Sequence, residues 1–203
     1  MEWLKIYSDT TQWTDLADKY KVREYVRQCG LKEILVELHG VWRNAEEIDF
    51  DKLPDAFVLK TNHGFRKTML IHNKSHLDIT QTRSQLNKWL SERYGLISFE
   101  PHYWNIERLI MAEELLEDDY NASVSSSLID YKFTCIHGKP EFVVVIAGRE
   151  NITIGSEQQE VGSGMRAGVY DLDWQPRSEV INGGFFSRRF LLWPYQHLII
   201  WMK

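Results

Sequence analysis

The sequence predicts an α+β fold of two lobes, and three observations point to it. A helix-period run precedes residue 30, apolar strand-like runs follow in pairs, and a polar, serine-rich stretch from Asp118 to Ser127 parts an earlier group of strands from a later one. The expected organisation is an N-terminal helical segment at 1–30, a small lobe at 31–116, an incomplete second lobe at 117–176 and a divergent aromatic tail at 177–203.

Val22, Tyr25, Val26 and Cys29 recur at helical spacing, Asp18, Lys19, Arg23, Glu24 and Arg27 take the other positions, and Gly30 supplies a stop. This predicts one helix from about Thr14 to Cys29. The apolar mixture from Glu33 to Asn44 reads as a short strand and connector, and Asp49 to Pro54 as a loop. Ala56 to Lys60 is a buried strand ending in Thr61-Asn62-His63-Gly64, with Thr68 to His72 as its hairpin partner and Asn73 to His76 as a turn. Asp78 is placed to cap a helix that runs to Tyr94, with Leu86, Trp89, Leu90 and Arg93 on one face and Gly95 behind it. Leu109 to Glu113 is a further strand. Beyond the serine-rich loop, Asp130 to Ile136 and Glu141 to Ala147 form a hairpin joined by His137-Gly138-Lys139-Pro140. Glu150 to Gly168 reads as irregular. After Pro176 the chain is crowded with Phe185, Phe186, Phe190, Trp193, Tyr195 and Trp201.

Composition narrows the function. With 203 residues, 43% of them hydrophobic, the chain is long enough to bury a core. A formal net charge of -5 argues against a protein devoted to nucleic-acid phosphates, though it leaves room for a local basic cleft that takes one nucleotide. No apolar run approaches the ~20 residues of a membrane span and no leader pattern opens the chain, so a cytoplasmic location is expected. Cys29 and Cys135, the only two cysteines, lie far apart and suit a reducing compartment.

Several residues could carry chemistry. Lys60 closes an apolar strand just before a glycine-containing turn, where an ammonium and turn amides can approach phosphates together; the same pattern suits a lysine reaching from a strand edge to water. Glu113 and Glu114 sit in an apolar strand, either as acceptors at the mouth of a nucleotide pocket or as one salt-bridged and one outward carboxylate. Lys132 alternates with Tyr131 and Phe133, and Arg149 ends the next strand, so the two cations could line an anion cleft or face solvent. Gly162-Ser163-Gly164 with Gly168 lacks the ending of a phosphate loop. His72 and His76 flank a lysine, which disfavours a metal. Asp171 and Asp173 could hold magnesium only from a regular strand.

Five blocks taken together resemble the TupA-like ATP-grasp family. They are Asp18-Lys19-Tyr20-Lys21-Val22-Arg23-Glu24-Tyr25-Val26, Phe57-Val58-Leu59-Lys60-Thr61-Asn62-His63-Gly64, Met111-Ala112-Glu113-Glu114-Leu115-Leu116-Glu117-Asp118, Asp130-Tyr131-Lys132-Phe133 and Tyr170-Asp171-Leu172-Asp173-Trp174, in matching order over about residues 3–176. The resemblance implies two α+β lobes that hold ATP between them, and a carboxylate activated as an acyl phosphate for attack by an amine. It implies further that Lys19 and Lys60 approach the nucleotide phosphates, Glu113 and Glu114 the adenine and ribose, and Lys132 and Arg149 the transferred phosphoryl group. ATP and Mg2+ are the implied cofactors. Two departures stand out: Phe65-Arg66-Lys67 replaces the family's Ser-Gly-Gly flap, and the acidic magnesium ligands expected beyond the last block are not recognisable, as in a truncated member.

The function expected is that of an ATP-grasp relative of carboxylate-amine ligases linked to bacterial surface polysaccharide or teichuronopeptide biosynthesis, with part of the ATP cleft retained. Its partners are a nucleotide and a carboxylate or glycan-precursor substrate, not nucleic acid. The alternatives are a non-catalytic scaffold whose aromatic tail binds a protein partner, or a glycosyltransferase of the same pathway, for which Asp171-Leu172-Asp173 has the right spacing.

Overall fold

The structure is a computed structural model that describes residues 2–96, 99–117, 128–148 and 166–177. The chain divides into two compact units, Met1–Leu115 and Leu116–Lys203, and its mixture of helices with antiparallel sheets is α+β.

In the first unit, helices α1 (Glu2–Tyr7), α2 (Thr11–Ala17) and α3 (Val22–Gln28) precede strand β1 (Leu38–Trp42). Strands β2 (Phe57–Thr61) and β3 (Thr68–Ile71), helix α4 (Ile79–Ser91) and strand β4 (Ile110–Glu114) complete it. The sheet order is β1-β4-β2-β3, with every neighbour antiparallel. Alternation along β2 buries Phe57, Leu59 and Thr61 on one face and leaves Val58 and Lys60 half-buried on the other. Phe57 and Leu59 join Met69, Ile71, Ile110, Ala112 and Leu86 in one apolar cluster, against which Trp89 and Leu90 pack. Gly40 has a packing reason: a Cβ there would lie 2.3 Å from the Trp42 indole.

Asp78 caps α4 as its position predicts, accepting a 2.9 Å hydrogen bond from the Gln81 amide. The helix stops at Ser91 rather than Tyr94, so Arg93 lies beyond it and is exposed, not on its apolar face. The single helix expected from Thr14 to Cys29 is instead two. Asp18 breaks it by turning its carboxylate inward, where Oδ1 accepts from the amides of Tyr20 (2.8 Å) and Lys21 (3.3 Å) and restarts the coil. The buried face also differs from the apolar spacing: Arg23 is buried, whereas Tyr25 and Cys29 are exposed. An ion pair with buried Glu113 draws the arginine in.

The second unit is a three-stranded antiparallel sheet, β5 (Asp130–Ile136), β6 (Lys139–Ala147) and β7 (Arg166–Tyr170), in that order. Its hairpin turn is tighter than expected. His137 and Gly138 alone form it, with φ of 50° and 77°, the pattern of a type I′ turn, and Lys139 and Pro140 already belong to β6. Arg166 to Gly168, read from sequence as the end of an irregular segment, pair with β6 instead. Gly168 serves packing, since a Cβ there would come within 3.0 Å of the Tyr170 ring. Val143, Val145, Ala147 and Tyr170 form the buried cluster, flanked by Ile129 and Trp174. Most of the aromatic tail, and Gly162-Ser163-Gly164, lie outside the described residues. Among the described residues no helix is long and apolar enough to cross a membrane.

Leu86 is fully buried in the first unit's core. Leu86→Ala is expected to cost about 2–5 kcal/mol in urea unfolding, against less than about 0.5 kcal/mol for a truncation of exposed Tyr25. Similar losses for both would contradict this division of core from surface.

Candidate functional site

The site begins where β2 ends. Asn62 is fully buried, and its side chain is bonded on every side. Nδ2 donates to Asp18 Oδ1 (2.9 Å) and to the Glu107 carbonyl (2.8 Å), while Oδ1 accepts from the Leu109 amide at 2.8 Å. The backbone adds a 3.0 Å bond from the Asn62 amide to the Leu109 carbonyl and another, also 3.0 Å, from the Lys19 amide to the Asn62 carbonyl. One amide side chain thus joins the α2–α3 corner, the end of β2 and the approach to β4.

This knot carries Lys19 to the glycine turn. Its Nζ donates to the Gly64 carbonyl at 2.8 Å and lies 3.4 Å from the Asn62 carbonyl. Burial, followed by the positive charge of Lys60, pushes the Lys19 ammonium down to about 8, with Asp18 opposing the shift. Gly64 has φ of 80°, and a Cβ there would meet the Tyr94 ring at 3.2 Å, so conformation and space both call for glycine.

Lys60 faces Glu113. The register pairs Val58 with Glu113 and Lys60 with Met111, which puts the lysine and the carboxylate on one face of the sheet. Lys60 Nζ is ion-paired with Glu113 Oε2, and Arg23 Nη1 approaches Oε1 at 3.1 Å. Glu114 pairs with Phe57, so it points to the opposite face, and it is exposed. Two acidic residues adjacent on a strand therefore part company. Of the six residues singled out in the sequence, Lys19, Lys60 and Glu113 come together. Lys132 belongs to the second unit, where it is exposed on β5 opposite Val144, and Arg149 lies outside the described residues.

Residues that carried no assigned role in the sequence reading complete the site. Arg23 and Asp18 had only their charge beside a helical run to mark them, and Asn62 only its place in a turn. Lys67 is another: it is buried, and its ammonium donates to the Trp89 carbonyl (3.2 Å) and pairs with Glu92 Oε2 (2.8 Å), fastening the β2–β3 turn to the end of α4. At the tip Phe65 is exposed, and Arg66, with φ of 58°, lies 5.1 Å from its ring centroid. His63 is buried. Burial, and then the Lys67 charge, push its imidazolium down to about 4.

Metal ligation finds no support in these side chains. Asp171 Oδ1 accepts from the amides of Asp173 (3.0 Å) and Gln175 (2.8 Å), so Asp171 and Asp173 belong to a turn, not to a regular strand with two aligned carboxylates. Among the described residues, no three or more histidine, cysteine or acidic side chains gather in one group that could hold a metal ion.

A family model described as TupA-like ATPgrasp matches residues 1–153 of the 203. No curated protein and no solved structure matches the chain.

His63 makes stability depend on acid. Its folded value of about 4 lies below the ordinary 6.5, so between these pH values the unfolded chain holds a proton that the folded chain does not. Stability is then expected to fall as pH drops from about 6.5 toward 4. Urea midpoints taken at pH 7 and pH 5 should move less in His63→Gln than in the parent chain; identical movement would show that this imidazole is not the group responsible.

Proposed function

The chain belongs to the TupA-like ATP-grasp family, and from that premise we propose that it binds ATP at the Gly64 turn, which Lys60 leads into and Lys19 reaches. We place it among relatives of the carboxylate-amine ligases that serve bacterial surface polysaccharide or teichuronopeptide assembly. The observation that carries the nucleotide reading is a pair of ammonium groups close enough for the charge of one to bear on the other, Lys19 held by the Gly64 carbonyl of the turn and Lys60 on the strand that leads into that turn. Cations fixed beside main-chain groups of a turn suit an anion with several oxygens. Glu113 acts on the nucleotide through Lys60, while Glu114, on the opposite face of the sheet, is proposed for adenine or ribose on the family resemblance alone.

In the ligase chemistry that the family implies, a substrate carboxylate oxygen attacks the γ-phosphorus, the bond to the bridging oxygen breaks and ADP leaves. An amine then attacks the acyl carbon, loses a proton and expels phosphate, which leaves an amide. Lys19 and Lys60 neutralise phosphate charge, which is the main service a protein gives to phosphoryl transfer. Lys132 and Arg149 are proposed for the transferred phosphoryl group on the family resemblance alone. Magnesium is the metal the family implies, and among the described residues no group of three or more histidine, cysteine or acidic side chains is placed to hold it.

Calorimetric titration with ATP and magnesium tests the reading. Lys60→Ala should weaken binding by about ten- to a hundredfold, the range for loss of a charge-assisted hydrogen bond. Equal affinities, or no binding by the parent chain, would remove the assignment.

Lys19 gives a second signature. An ammonium near 8 that gains a phosphate neighbour must rise, so binding between about pH 7.5 and 9 takes up a proton, and affinity falls as pH increases through that range. Titrations in buffers of different ionisation enthalpy should reveal the uptake, and Lys19→Ala should abolish it. Proton uptake that persists in the variant would reassign the titrating group.

A further inference from the structure

Arg23 has no part in the contacts proposed for the nucleotide, yet it is buried beside them. Its Nη1 lies 3.1 Å from Glu113 Oε1, and its Nη2 donates to the Val36 carbonyl at 2.5 Å. The Glu113 side chain is 8% exposed and shares its two oxygens between two cations of unequal freedom. Arg23, also 8% exposed, is anchored at a second point; Lys60 is 21% exposed. A planar guanidinium held twice is a fixed partner, while a lysine on a four-carbon stem is a movable one.

This inequality matters once a phosphate competes for Lys60. If Lys60 were the sole cation on Glu113, its departure would leave a buried carboxylate unpaired, and that penalty would oppose binding. With Arg23 in place the carboxylate keeps a charge-assisted partner throughout. We infer that Arg23 is a positioning residue that holds Glu113 in compensation and so releases Lys60 to an incoming polyphosphate. The exchange rests on the nucleotide reading for its ligand, but the balance among Arg23, Glu113 and Lys60 exists in the protein without one.

Two readouts on the full chain separate these levels. The first is acetylation of Lys60 by an N-hydroxysuccinimide ester without nucleotide, followed by peptide mass spectrometry. Arg23→Gln leaves Glu113 to Lys60 alone and should slow labelling severalfold; Arg23→Gln/Glu113→Gln should restore it to the parent rate or above. The second is calorimetric titration with ATP, where Arg23→Gln should weaken binding by about tenfold or more and the double variant should recover to within about threefold of the parent. Arg23→Lys, which keeps a cation but loses the two-point hold, should fall between parent and Arg23→Gln in both. It carries the comparison if Arg23→Gln fails to fold.

A purely structural arginine predicts that removing Glu113 as well gives no rescue. Failure of the double variant to recover either readout would therefore overturn the exchange, as would labelling indifferent to Arg23. If the parent chain does not bind ATP, the nucleotide reading falls, and Lys60 labelling still decides whether Arg23 governs the lysine.

Discussion

The first unit depends on a buried pairing of two small polar side chains, Asp18 and Asn62. Each would be costly to bury alone, and together with main-chain groups they satisfy one another. Asp18 bends the chain between α2 and α3, and that bend aims Lys19 at the turn after β2. Asn62 fixes the same turn against the residues leading into β4. Remove the pairing in thought, and the helix corner, the turn and the strand lose their common point of reference. Lys19 would then be a surface lysine on an ordinary helix.

Around this point the charges are arranged in layers of commitment. Asp18 is spent on amides and on Asn62. Lys67 is committed to α4 through Trp89 and Glu92. Lys19 is held by neutral carbonyl oxygens, and burial beside the Lys60 charge depresses its ammonium. Lys60 stands between, balanced by a carboxylate that another cation also claims. The result is a local positive surplus inside a chain whose formal net charge is -5. Overall acidity argues against a protein devoted to nucleic-acid phosphates, yet says little about a site set by four or five side chains.

Much of this was legible in the sequence where one local rule decides the outcome. The β2 and β4 runs, the Asp78 cap and the β5–β6 hairpin followed from apolar runs and capping chemistry. The rest depended on partners distant in sequence. No periodicity could show that Arg23 would be buried and Tyr25 exposed, because the reason is a carboxylate ninety residues away. Asp18 suits a helix surface by its spacing, yet its carboxylate takes the Tyr20 and Lys21 amides and meets buried Asn62. β7 escaped notice because its glycine and arginine resemble loop composition until Tyr170 and β6 are present to explain them. Glu113 and Glu114 read as a pair in the sequence, and strand alternation divides them.

The Lys67 anchor also bears on how the turn meets a ligand. A glycine-rich flap samples many conformations when empty, and each contact with its ligand must overcome that freedom. Here the backbone of Lys67 bonds to Thr61 and its side chain to α4, so much of the turn's conformational entropy has been surrendered during folding. Recognition by such a turn draws on a preformed shape. On the nucleotide reading proposed above, a turn carrying Phe65-Arg66-Lys67 would favour ligands that already fit and forgo the adaptability by which a loose flap accommodates several.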